Sequence, residues 1–264
     1  MKLITSQDNK HVKLAASLKQ KKHRDDEKMF LVEGKRAVAE ALQKPELLEA
    51  IFVDENRVEE FKEFVDLLSP EAYRVSTQLM RHVCCTETPQ GIAAIMKTPV
   101  WSWLDMVDKP GLLILLDRVS DPGNMGSIFR TCWALGVEGV LMTKGCADPF
   151  SPKVVRSTMG ALLNIPVFSD VSDTQLDILN EKGYAFICAD LNADNNYYSL
   201  KYPGQSVIII GSEATGASDE LKKRCDQFIK IPMNSQVDSL NVAAACAIIV
   251  AEAARQRYER TGLA

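Results

Sequence analysis

Three short stretches in the second half of the chain, Leu112-Leu-Ile-Leu-Leu116, Ala185-Phe-Ile-Cys-Ala189 and Val207-Ile-Ile-Ile210, are apolar without alternation. A strand with one wet face alternates polar and apolar residues, so a strand with no polar face must be covered on both sides. A further apolar strand is expected at Val140 to Met142, and helical stretches at Asn124 to Leu135, Ser151 to Met159 and Thr174 to Lys182 lie between these segments. Doubly buried strands alternating with helices specify an α/β domain built on a parallel sheet.

At 264 residues the chain has the length of one large or two ordinary domains. The first part reads as a small α/β unit. A helix is expected over Asn9 to Gln20, with Val12, Ala15, Ala16 and Leu18 inward and Lys10, Lys13, Lys19, Lys21 and Lys22 in solvent. Met29-Phe-Leu-Val-Glu-Gly34 follows as strand and turn, then a helix over Arg36 to Gln43 and a strand at Leu48 to Val53. A helix around Val58 to Leu68 and strands at Tyr73 to Val75 and Ile92 to Met96 complete the unit. Between Thr98 and Pro110 periodicity lapses and prolines 99 and 110 flank the gap, which predicts a first domain at 1–98, a linker at 99–110 and a second domain at 111–264.

Thirty-one basic side chains face 35 acidic ones, a formal charge of −4, so any polyanion site has to be local. One local excess exists: residues 1–36 carry ten Lys or Arg against five acids. It suits either an RNA backbone contact or an ordinary solvated helix face. The longest apolar run, Val242 to Ala251, is ten residues, about half of a bilayer-spanning helix, and the N-terminal stretch lacks the apolar core of a secretory signal. The seven cysteines include no CxxC pair and no histidine-rich companion segment. The expectation is a cytoplasmic protein with reduced thiols, no metal site and no membrane association.

In open parallel sheets ligands bind beyond the carboxyl ends of the strands, which directs attention to the loops after Leu116, Ile210 and Ile231. The first reads Asp117-Arg-Val-Ser-Asp-Pro-Gly-Asn-Met-Gly-Ser-Ile-Phe-Arg130. Pro122-Gly123 suits a type II turn and Asn124 a helix cap, but neither accounts for Arg130 among Ile128, Phe129 and Trp133. A guanidinium beside the free N–H groups of an early helical turn makes a phosphate site. The second loop, Gly211-Ser-Glu-Ala-Thr-Gly216, lacks the lysine of a phosphate loop, and Asp121-Pro122 occupy the place of the first glycine of a dinucleotide fingerprint. Nucleoside triphosphates and NAD or FAD therefore lose support. The third segment, Ile231-Pro-Met-Asn-Ser-Gln-Val-Asp-Ser-Leu-Asn241, runs into a long helix from Val242 to about Arg257, with Asp238 or Ser239 as the expected cap and Asn241 as a second polar group at its mouth. That helix is apolar nearly all round, as befits one buried in the monomer or packed against a second subunit. There is no GxSxG elbow, and the only histidines, His11, His23 and His82, lie far from these loops in sequence, which disfavours serine-hydrolase chemistry.

Asp121-Pro-Gly-Asn-Met-Gly-Ser-Ile-Phe-Arg-Thr131, Ile209-Ile-Gly-Ser-Glu-Ala-Thr-Gly216 and Ile231 to Ala243 resemble, in order and spacing, the three motifs of the SpoU (TrmH) RNA ribose methyltransferases of the SPOUT superfamily. The likeness spans about 111 to 260. Ile4-Thr-Ser6, Asn9, Val12-Lys13 and Phe30-Leu-Val-Glu-Gly34 more loosely resemble the RNA-binding domain many of these enzymes carry, related to kink-turn-binding ribosomal proteins. The resemblance implies a C-terminal deep trefoil knot, a homodimer, and S-adenosylmethionine as cofactor. Periodicity alone would have drawn an unknotted, doubly wound sheet. By the same resemblance, cofactor positions fall on Gly211, Ile231, Met233 and Leu240, and catalytic ones on Asn124, Arg130, Glu213, Ser239 and Asn241.

The implied reaction moves a methyl group from the cofactor to a ribose 2′-hydroxyl, most readily of ribosomal RNA given the extra RNA-reading domain. Transfer RNA is the alternative substrate, and a non-catalytic RNA-binding or ribosome-assembly module the alternative class. Because a guanidinium is rarely deprotonated in a protein, Arg130 is expected to stabilise a developing alkoxide rather than to act as base.

Overall fold

The computed structural model describes residues 1–66 and 72–262. The chain divides into two compact units, Met1–Val100 with Asp148–Leu163, and Trp101–Ala147 with the residues from Asn164 onward.

In the first unit β1 (Lys2–Ile4), β2 (Met29–Glu33), β3 (Leu48–Asp54), β4 (Ala72–Val75) and β5 (Ile92–Lys97) form a sheet in the order β1-β4-β3-β5-β2. It is mixed: β5 runs antiparallel to both β2 and β3, whereas β4 is parallel to β1 and β3. Asn9 accepts a hydrogen bond from the His11 amide and so starts α1 (Lys10–Ser17), whose Val12 and Ala15 join Leu18, Leu31, Phe52 and Ile95 in the core. The single helix expected over 9–20 stops at Ser17, and α2 (Lys21–Glu27) follows as a separate element ending on Lys28 in the left-handed region, φ 53°. Two of the cations in this region are structural. Lys19 donates to the His82 carbonyl at 2.7 Å instead of pointing to solvent, and Arg24 is buried. After α3 (Lys35–Ala41) comes a second difference: the helix expected over 58–68 is a 3₁₀ stretch, Glu55–Phe61, capped by Asp54 and followed by the short α4 (Lys62–Asp66). The last two residues of that expectation, 67 and 68, lie outside the described residues. Ser76 caps α5 (Thr77–Val83), which packs on the same core.

The second unit carries the parallel sheet anticipated from the apolar runs. β6 (Leu112–Asp117), β7 (Gly139–Met142), β8 (Val167–Phe168), β9 (Ala185–Ala189), β10 (Asn195–Asn196), β11 (Ser206–Gly211) and β12 (Gln227–Lys230) lie in the order β10-β12-β9-β11-β6-β7-β8, every pair parallel. β6 and β11 are central neighbours, running in register from Leu112 beside Ser206 to Asp117 beside Gly211. The stretch expected to be a linker is not one. Ser102 caps α6 (Trp103–Val107), Met106 and Val107 are buried with Leu113 and Leu141, and the Trp103 ring meets Phe168 edge-on at 5.2 Å. The flanking prolines mask its short apolar content.

Two caps also differ from expectation. Asp121, not Asn124, caps α7 (Pro122–Ala134), accepting from the Asn124 amide at 2.8 Å, and Pro122 is the first helical residue rather than part of a type II turn. Proline suits that position because its φ is already helical and its missing N–H would have had no partner. The helix thus begins earlier and Arg130 falls in its third turn. α9 (Asp173–Glu181) and α10 (Asp219–Lys222) precede α11 (Val242–Thr261), which is capped by Asn241 through the Ala243 and Ala244 amides, not by Asp238 or Ser239. One face of α11, including Val242, Cys246, Ile249, Val250, Ala253 and Ala254, is buried, while Ala244 and Ala251 are exposed.

The continuous second domain expected at 111–264 is interrupted. Asp148–Leu163, with α8 (Pro152–Thr158), packs within the first unit. The buried Arg24 guanidinium pairs with Asp148 at 2.5 Å, Phe30 and Phe150 rings lie 5.1 Å apart, and Arg156 sits 4.0 Å from the buried Glu33 carboxylate. These contacts join residues far apart in sequence, so no local signal announces them.

Candidate active site

Because all strands of the second sheet run the same way, the loops after β6, β9, β11 and β12 emerge at one edge. At that edge the starts of α7 and α11 are tied together. Asn241 Nδ2 donates to Asn124 Oδ1 at 2.8 Å, and Asn124 Nδ2 donates in turn to Glu213 Oε1. Each Asn side chain can do this because the cap assignments free it: Asp121 takes the Asn124 amide, and Asn241 Oδ1 takes two amides of α11 while its Nδ2 remains to donate. One polar chain therefore runs through all three loops singled out in the sequence.

Beneath it is a cleft of about 290 Å³, lined by Gly211, Ile231, Met233 and Leu240, by the apolar side chains of Ile210, Ile229, Val242 and Ile249, and by Glu213 and Ser239. Gly211 is there because nothing larger fits: a Cβ would lie 2.0 Å from the Gly216 carbonyl carbon and 2.1 Å from the Ala217 nitrogen. The 211–217 loop folds back on its own strand, the Gly216 amide donating to the Ser212 carbonyl at 2.9 Å and the Ser212 and Thr215 hydroxyls 3.0 Å apart. It is pinned from below by Asp117, a buried carboxylate that accepts from the Ser218 amide and the Thr143 hydroxyl, both at 2.8 Å.

The structure brings six of the nine expected site residues to the cleft wall: Gly211, Ile231, Met233, Leu240, Glu213 and Ser239. Asn124 and Asn241 join through Glu213 rather than by lining the cleft. Arg130 is exposed on α7 and, among the described residues, has no hydrogen-bonding or ionic partner. Sequence reasoning misses Asp117, Asp190, Asn192 and Lys222. A signal for Asp117 is present, a carboxylate closing an otherwise apolar strand. Asp190 and Lys222, 2.6 Å apart, meet only through the fold. Burial pushes the Asp190 carboxyl up, but Lys222 and the Asn192 amide outweigh it and hold it below its ordinary value; Lys222 is raised by the same contact. Among the described residues no cluster of three or more His, Cys, Asp or Glu could hold a metal.

An apolar cleft with a few placed polar groups suits a flat, amphipathic ligand of nucleoside size. The donor set fits S-adenosylmethionine: aliphatic walls for the adenine, acidic and amide groups for hydroxyl and ammonium donors, and a glycine floor that brings backbone close.

The SpoU rRNA methylase family model matches residues 111–251, and a model described as an MRM3-like substrate binding domain matches residues 9–94. The 23S rRNA (guanosine(2553)-2′-O)-methyltransferase RlmP of Bacillus subtilis is 34% identical over 251 residues, covering 95% of this chain and 98% of its own. Among solved structures, an AdoMet-bound rRNA methyltransferase from Sinorhizobium meliloti aligns with a TM-score of 0.83 and 28% identity, over 96% of this chain and 97% of that one. The SpoU methyltransferase AviRb from Streptomyces viridochromogenes aligns with a TM-score of 0.84 and 26% identity, over 96% and 99%.

Proposed function

Because this chain belongs to the SpoU rRNA methylase family, we propose that it transfers a methyl group from S-adenosylmethionine to a ribose 2′-hydroxyl of ribosomal RNA. The observation that carries this reading is the Asn241–Asn124–Glu213 chain standing at the lip of the cleft. The cofactor, when bound, supplies a methyl group already activated by its sulfonium charge. What is left for the protein is to position the ribose and ease loss of its proton.

Gly211, Ile231, Met233 and Leu240 hold the cofactor by shape and apolar contact. Asn124 and Asn241, locked to each other, fix Glu213 and with it the loop that closes the cleft. Ser239, exposed at the rim, orients the ribose, and Arg130 supplies a positive charge to the developing alkoxide and to an RNA phosphate. A guanidinium with no protein partner among the described residues keeps its charge and donors for the substrate.

The first unit reads the RNA, and its fold is that of the kink-turn-binding ribosomal proteins. The second unit carries the deep trefoil knot that membership of this family implies. The active form is a homodimer, with Trp133, 41% exposed, and the exposed alanines of α11 on the self-associating surface. The protein works in the cytoplasm, in keeping with seven unpaired cysteines.

The test is incubation of the purified protein and labelled S-adenosylmethionine with ribosomal or transfer RNA from a strain lacking the gene, followed by nucleoside analysis. One 2′-O-methylated nucleoside in 23S RNA is expected, and the position named for the Bacillus subtilis relative is the first to inspect. Label in transfer RNA would move the substrate assignment; label in neither would leave an RNA-binding module.

A further inference from the structure

The cleft has a charged corner formed by Asp190 and Lys222. Asp190 follows β9 directly, and its side chain is 14% exposed. Its backbone amide donates to the Ile229 carbonyl at 2.9 Å, its carbonyl accepts from the Ala193 amide, and its carboxylate accepts from the Asn192 amide at 2.9 Å through Oδ1 and from Lys222 Nζ at 2.6 Å through Oδ2. The carboxylate is thus fixed in place and ionised. Each oxygen has taken one donor, so among the described residues a lone pair on each is left. Arg118–Asp117 and Arg255–Glu252 in this unit have carboxylates as well covered, but neither pair lines the cleft, whereas both Asp190 and Lys222 do. The carboxylate is mostly covered while Lys222 keeps about a third of its side chain in solvent, and a pair that only latched α10 to β9 would not need to face a ligand site.

We infer that Asp190 recognises the two ribose hydroxyls of the cofactor, with Lys222 holding its carboxylate charged and oriented. This rests on the S-adenosylmethionine reading above. The cofactor offers three kinds of donor: the adenine amino group, the ribose cis-diol and the α-ammonium. Only the diol presents two neutral donors side by side, which matches two open lone pairs on one carboxylate. An acidic side chain near the carboxyl end of a neighbouring strand is a general solution for a ribose in parallel α/β sheets. Glu213, the other carboxylate in the cleft, is exposed and held by Asn124 through Oε1 alone, so it is less firmly placed for a two-point contact than Asp190, which is held at both oxygens. Lys222 cannot accept from the hydroxyls; its part is to hold the carboxylate, with at most a donated bond to a ribose oxygen, and its removal is the milder change.

Isothermal titration of the full-length protein with three probes decides the matter: S-adenosylhomocysteine, 5′-methylthioadenosine, which lacks the amino-acid head, and the 2′,3′-dideoxy analogue of S-adenosylhomocysteine. Asp190→Asn is expected to weaken the first two by the same factor, about tenfold or more, and the dideoxy analogue by less than about twofold. Lys222→Met gives the same pattern with a smaller factor, and thermal unfolding of both variants separates binding loss from misfolding. Weakening of S-adenosylhomocysteine alone would mean that Asp190 meets the α-ammonium and would overturn the inference, as would equal weakening of all three probes. Wild-type protein that binds none of them would overturn the cofactor reading instead.

Discussion

At the start of α7, Asn124 is held on both sides, by Asn241 and by Glu213; two turns further along the same helix, Arg130 is exposed with no partner among the described residues. The first region is finished by the protein alone. Its groups are fixed by caps and by one another, so no ordering remains to be done when ligand arrives. The second is a charge exposed on a rigid helix, and under the proposed function its partner comes with the substrate. This difference predicts that substitutions at the two places fail in different ways.

The largest effect is expected at Arg130. Arg130→Ala should lower turnover by about 10²–10³-fold, the usual consequence of removing one transition-state donor, with the melting temperature and the affinity for S-adenosylhomocysteine unchanged. Arg130→Lys, which keeps charge but loses the planar fork, should recover only part of it; near-normal turnover in that variant would remove Arg130 from its role. Gly211→Ala should instead abolish cofactor binding measured by calorimetry and lower stability, because its methyl group would overlap the Gly216 and Ala217 backbone.

Asn241 sharpens the comparison, since it is both a cap and a link. Asn241→Ala is expected to cost about 1 kcal/mol of stability by chemical denaturation, the usual loss of a helix cap. Asn241→Asp keeps the cap acceptor and should keep the stability, but it cannot donate to Asn124 Oδ1. Both should lose turnover. Stability and activity falling together in the Asp variant would show that the junction matters only as scaffolding.

Much of this site is legible in the sequence, for identifiable reasons. β6 and β11 are buried on both faces and central to the sheet, so their composition alone places them and the loops that follow. The two helix mouths are locatable in the same way but their caps are not, because Asp121, Asn124, Asp238, Ser239 and Asn241 are all competent caps and propensity does not choose among them. What composition cannot reveal are pairings across sequence: Asp190 with Lys222, Asp117 with Ser218, and Arg24 with Asp148. The last of these is one of the contacts, with Phe30–Phe150 and Arg156–Glu33, that hold 148–163 in the first unit, against a reading that makes 111–264 continuous.

The same buried Arg24 limits how the basic N-terminal region can be tested. Removing residues 1–25 would strip core residues Val12, Ala15 and Leu18 along with the charge, so exposed cations must be changed singly. Replacing Lys10, Lys21 and Lys22 by Ala should weaken RNA binding modestly and reduce the salt slope by about 0.7–0.9 for each RNA phosphate that is no longer neutralised. An unchanged slope would leave that face a solvated helix surface.

The smallest expected effect is on pH dependence at the charged corner of the cleft. Asp190 has its folded value depressed, so its contribution to stability is present above its unfolded pKa and is lost as pH falls through the folded one. Acid unfolding of Asp190→Asn should therefore be shallower than that of the wild type below about pH 4, and identical profiles would show that the pair adds nothing to the fold.

The central claim is tested most directly by mapping 2′-O-methylation at single-nucleotide resolution in ribosomal RNA from cells without this gene, complemented with wild-type protein or with Arg130→Ala. The account expects one mark that vanishes with the gene, returns with the wild type and stays absent with the variant. A map unchanged by loss of the gene, or a mark fully restored by Arg130→Ala, would contradict it.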